Sequence, residues 1–138
     1  LRPLDLMQPY RLEMGTRLAN EKGKNLYEFW GTQISELLNA GLQSHDDPCI
    51  VNLASNEYFK SVNRETLKAR VLKIDFKENR DGDYKIVAIY AKRARGLMAD
   101  FVIRNRIERV EALQGFDAEG YTFRESLSEA DYWIFCRD

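Results

Sequence analysis

The stretch YKIVAIYAKRARGLMADFVI, residues 84–103, decides how the rest of the chain is read. Its opening, Tyr84–Tyr90, is β-branched or aromatic at most positions and reads as a strand. From Leu97 to Val110 there is no Gly or Pro and helix formers abound, so a helix follows. Between the two lie Lys92, Arg93 and Arg95, closed by Gly96, which reads as a basic turn at a helix N-terminus. Cationic side chains and the free N–H groups of a first helical turn then share one place, which suits phosphate. Leu97, Met98, Ala99, Phe101, Val102 and Ile103 point in every direction around that helix, so it is expected to be buried. Asp100, the sole charge of the run, is expected to pair with Arg95, Lys92 or another nearby cation. The alternative is a solvated basic loop with Asp100 in water.

Upstream, Arg70–Phe76 alternates Val71, Leu72, Ile74 and Phe76 with charged residues, and Asp81-Gly82 separates it from Tyr84. Such a spacing predicts an antiparallel hairpin. Before it, Cys49–Ala54 reads as a short internal strand that breaks at Ser55-Asn56. Ser55 or Asn56 can cap a helical turn that carries Glu57 and Lys60 on one side. Polar groups at the C-terminal end of a strand are a usual place for a site in an α/β sheet, and a capped turn with a surface ion pair is the plainer reading. A longer helix is expected over Leu26–Leu42, capped by Asn25, with Phe29, Trp30, Ile34, Leu37 and Leu38 as its core stripe and Gly31 as its weak point. The first residues, Leu1–Met14, read as extended or turn-rich, with Arg2, Asp5, Arg11 and Glu13 pairing locally or facing a site. Tyr132–Cys136 closes the chain as a strand. Taken together the elements describe an α+β protein, a mixed β-sheet with an antiparallel hairpin and packed helices, expected as a single domain over residues 1–138.

Net charge is −1 over 138 residues, but it is unevenly spread. Residues 85–109 carry a local charge of plus five and residues 111–138 one of minus five. This polarity means a basic binding face or a basic helix packed on an acidic tail. No apolar run approaches the roughly 20 residues of a membrane span, and a cytoplasmic setting is the default. Cys49 and Cys136 read as buried thiols. His45, Asp46 and Asp47 are neighbours in a loop and, with no second His in the chain, make no metal cage; no cofactor is assigned.

Four segments, LRPLDLMQPYRLEMG (1–15), NLASNEYFKSV (52–62), YAKRARGLMADFVI (90–103) and GFDAEGY (115–121), together resemble the YaaA family of bacterial proteins associated with peroxide resistance. The abrupt start at Leu1 fits the C-terminal part of a longer member. The resemblance implies a cytoplasmic protein that binds double-stranded DNA through a basic cleft and limits iron-driven damage. On that footing Asn56, Glu57, Tyr58 and Lys60 match a Glu-Tyr-Phe-Lys motif, and Lys92, Arg93, Arg95 and Gly96 match the basic motif. The helix-hairpin-helix ascribed to the family needs Gly–apolar–Gly, which this sequence lacks, so any hairpin is expected upstream of Leu1. Two uses of these residues compete. In one, Lys60, Lys92, Arg93, Arg95 and the Gly96 backbone meet DNA phosphates. In the other, an enzyme acting on a nucleotide or nucleobase uses Glu57 as acid/base and Tyr58 as a positioning group, with the cations on phosphate. A third reading makes the cations structural, neutralised by internal carboxylates.

Overall fold

The computed structural model describes Leu6, residues 13–17 and residues 19–138. The sequence-based expectations for Arg2, Asp5 and Arg11 lie outside them. The elements in order are α1 (Leu26–Trp30), α2 (Gln33–Gly41), β1 (Cys49–Asn52), α3 (Asn56–Phe59), β2 (Arg70–Arg80), β3 (Asp83–Lys85), α4 (Ala88–Arg104), β4 (Thr122–Phe123) and β5 (Tyr132–Arg137), with 3₁₀ turns at Val110–Gly115, Ala118–Gly120 and Glu125–Leu127.

β2 is the axis of the sheet. Its order is β1-β2-β5-β4, with β1 and β5 parallel to β2 and β4 antiparallel to β5. The hairpin expected at Asp81-Gly82 is present: both residues have positive φ and β3 returns antiparallel against Glu78–Arg80. The fold is α+β with a mixed sheet, as its sequence pattern requires. Cys49 is half-buried and Cys136 buried, both free thiols.

The decisive stretch folds differently from its local signal. The strand ends at Lys85, not Tyr90, and a single helix runs from Ala88 to Arg104, not from Leu97 to Val110. Because β2 and β5 are parallel, the chain must cross over between them, and a helix laid on the sheet is the economical crossover. That topology overrides the β-preference of Ile86, Val87, Ile89 and Tyr90. Nor is α4 buried all round. Ala91, Ala94 and Met98 form one buried stripe against Leu72, Ile74, Phe76 and Phe135, while Ile89 and Ile103 are more than two-thirds exposed. Asp100 pairs with Arg104 one turn on, at 2.7 Å, in solvent.

Two further expectations are corrected. The helix foreseen over Leu26–Leu42 is broken at Gly31, which takes φ 48°, and Leu37 on its supposed core stripe is 75% exposed. Asn25 does cap its first half, accepting from the Glu28 N–H at 3.0 Å. β1, expected to be internal, lies at the edge of the described sheet, where among the described residues it pairs only with β2.

Candidate functional site

Lys92, Arg93 and Arg95 lie inside α4, so no basic turn exists; Gly96 is a mid-helix residue with open space where a Cβ would be. Helical geometry then sorts the cations. Arg93 and Arg95 differ by about 200° around the axis and meet opposite surroundings.

Arg93 is spoken for. Its Nε donates to Glu119 Oε1 at 2.7 Å, and a second guanidinium nitrogen bonds the same oxygen. Glu119 comes from the GFDAEGY segment, where it adopts φ 55°. Its other oxygen lies 3.7 Å from Arg137, which in turn donates to Glu78 at 2.8 and 2.9 Å. Glu78 is 7% exposed and also accepts a short hydrogen bond from the buried Tyr121 hydroxyl. Arg137 completes the group by lying over the Tyr90 and Tyr121 rings at 5.1 and 4.9 Å. Glu119 is held below the usual carboxylate range by its hydrogen bond from Arg93, and Tyr121 is pushed well up by burial and by its bond to Glu78. This ladder clamps α4 to the ends of β2 and β5. The sequence signal that points to it is the pair of carboxylates, Asp117 and Glu119, between two glycines of one motif, opposite the basic run.

Arg95 faces the other way. It is half-buried and lines a hollow of about 90 Å³ with Asn52, Asn56, Lys73, Asp75 and Ile86. No carboxylate among the described residues pairs with Arg95 or with the exposed Lys92. Asn52 Oδ1 accepts from the Ala54 N–H at 3.0 Å, fixing the turn after β1, and its amide nitrogen donates to nothing among the described residues. On the far wall, Asp75 accepts from Tyr132 at 2.7 Å and pairs with Lys73 at 3.0 Å. Burial and that hydrogen bond push Tyr132 up to about 12. A second, wider hollow of about 400 Å³ is rimmed by Glu125 and Glu129, which repel phosphate.

Of the motif after β1, Ala54 and Asn56 line the Arg95 hollow. Ser55 caps α3, accepting from the Tyr58 N–H at 3.4 Å. Glu57 is exposed and its carboxylate accepts from the Met14 N–H at 3.0 Å, while its carbonyl accepts from Tyr27. Tyr58 is 53% exposed, and Lys60 lies over the Tyr27 ring at 5.4 Å. Glu57, Tyr58 and Lys60 therefore do not line the hollow with Arg95. Among the described residues no group of three His, Cys, Asp or Glu side chains is gathered as metal ligands would be, and no helix is long and apolar enough to cross a membrane.

The fold and this hollow define a class: an α+β protein whose crossover helix sets one neutralised and one open arginine at the edge of its sheet. Residues 1–127 match the family model described as peroxide stress protein YaaA, and the chain belongs to that family. It is 59% identical over its full length to a UPF0246 protein of Acaryochloris marina, covering 54% of that protein. It is 58% identical to one of Albidiferax ferrireducens and 57% to one of Bordetella petrii, covering 99% of this chain and 53% and 54% of theirs. The chain thus spans about half the length of these curated relatives.

Proposed function

We propose that this chain serves peroxide-stress protection by holding the phosphate backbone of double-stranded DNA, with Arg95 and Lys92 as the main contacts and Lys60 as an outlying one. The observation that carries the reading is the asymmetry of α4: Arg93 is neutralised by Glu119, while Arg95 opens on a hollow with no carboxylate partner among the described residues. A guanidinium so placed keeps its full charge and its hydrogen-bonding fork for an external anion. Family membership supplies the stress context. Phosphates neutralised by the protein release their counter-ions, iron among them, so less iron sits beside the sugars it would damage. On this view iron is limited at the DNA and needs no iron site in the chain.

Salt titration of duplex binding by the intact protein tests the reading. Replacing Arg95 by Gln is expected to lower the slope of log affinity against log salt by about 0.9, and Lys92→Gln by the same. Binding insensitive to salt, or slopes unchanged by both substitutions, removes the proposal.

A further inference from the structure

Along β2 there is an interval that no strand among the described residues covers. β1 pairs with β2 as far as Asn52↔Lys73, and β3 begins at Glu78↔Lys85, both on the side away from β5. The Arg70 N–H bonds the Pro48 carbonyl ahead of β1, and the Lys73 N–H bonds the Asp131 carbonyl ahead of β5. Backbone groups alternate sides along a strand, so Ile74 and Phe76 turn theirs toward the uncovered interval. Beyond the last β1 rung, the Ile74 carbonyl and the Phe76 N–H have no partner among the described residues. Native proteins rarely leave such groups without water or a ligand.

The surroundings favour a particular ligand over water alone. A carbonyl and, two residues on, an N–H on the same side of an extended strand offer an acceptor and a donor side by side. This is the complement of a heterocycle whose edge carries a donor next to an acceptor, as every nucleobase does. Both residues line the Arg95 hollow, together with the uncommitted amide nitrogen of Asn52. Ile86, 54% exposed at the same hollow, supplies an apolar wall for a ring face. Arg95 brings a cation to the same space.

The geometry points to a nucleobase seat at the open edge of β2, where Ile74 C=O and Phe76 N–H bind the edge of one base, Ile86 packs on its face and Arg95 holds its phosphate. This rests on Arg95 as the phosphate contact and adds the base that comes with it. A hollow of this size takes one heterocycle and no base pair. The base is therefore that of a free nucleotide or one that has left its stack, as enzymes and readers of single bases require.

The test titrates the ¹⁵N-labelled intact protein with adenosine and cytidine monophosphates, ribose 5-phosphate and a single-stranded oligonucleotide, following the Phe76 amide resonance. At least one monophosphate is expected to bind about tenfold or more tightly than ribose 5-phosphate and to move the Phe76 amide. Ala54→Phe, which fills the hollow from its exposed rim, should abolish nucleotide binding while leaving the salt slope of duplex binding intact. Equal binding of ribose 5-phosphate and both nucleotides with an unmoved Phe76 amide overturns the seat and leaves the phosphate reading standing. An unchanged duplex salt slope in Arg95→Gln, with nucleotides still moving Phe76, overturns the phosphate reading instead. Tighter binding of the oligonucleotide than of the monophosphates assigns the seat to an unstacked base in a strand; the reverse assigns it to free nucleotides, and either supports it.

Discussion

Arg93 and Arg95 are two residues apart on one helix and have opposite fates. The Arg93 side is a closed ladder, Arg93–Glu119–Arg137–Glu78–Tyr121, in which every charge has a partner. The Arg95 side is a sheet edge left open by the described strands, with donors around a hollow that have no partner among the described residues. Each side has a tyrosine donating to a carboxylate, Tyr121 to Glu78 and Tyr132 to Asp75. The ladder shows how charges stabilise a fold: paired throughout, from the exposed Arg93 at one end to the buried Glu78 and Tyr121 at the other. The hollow shows the reverse: Arg95 and the Asn52 amide nitrogen meet no partner among the described residues. Counting cations in the sequence treats these two regions as one patch.

The largest expected effect lies in the ladder. Glu78→Ala strands Arg137 and the buried Tyr121 hydroxyl together, and should cost about 3 kcal/mol in chemical denaturation. Duplex affinity at a temperature where the variant is folded should be unchanged; a parallel loss of DNA binding would merge the two regions into one.

Next in size is a substitution that turns one region into the other. Glu119→Gln releases Arg93 from its carboxylate, so the salt slope of duplex binding should steepen by about 0.9, one contact more. Arg93→Gln alone should leave that slope where it was. If Arg93→Gln flattens the slope as much as Arg95→Gln, the contrast between the two arginines is void.

Titration separates the two tyrosines more gently. Tyr132 in the folded protein is raised to about 12 from an ordinary value near 10, because burial and Asp75 favour its neutral form. A raised folded value contributes stability that is whole below about pH 10 and lost as pH climbs through 12. Alkaline unfolding curves of Tyr132→Phe should therefore be flatter over that window than those of the unsubstituted protein. Equal steepness would show that the Tyr132–Asp75 couple beside the hollow contributes nothing to the pH dependence.

The smallest effect concerns Gly96, whose neighbours in sequence suggest a turn. Mid-helix and exposed, it has room for a methyl group, so Gly96→Ala should stabilise the protein by about 0.5–1 kcal/mol in thermal or chemical melts. A loss of duplex affinity in the same variant would show that DNA approaches the helix backbone there, extending the open region past Arg95.

Local chemistry in the sequence was enough for the Asp81-Gly82 hairpin, the caps at Asn25 and Ser55, the strand at Tyr132 and the α+β class, since each depends on residues within a few positions of one another. It also marked the basic run Lys92, Arg93 and Arg95, though not that Arg93 is paired and Arg95 faces a hollow. Where strand gives way to helix near Ala88 was decided by β2 lying parallel to β5, a relation between residues some sixty positions apart that makes a crossover obligatory. The same long-range packing brought Glu119 to Arg93 and set Arg95 beside a length of β2 that no described strand covers. Charge type is a property of the side chain; whether that charge is already answered is a property of what the fold places next to it.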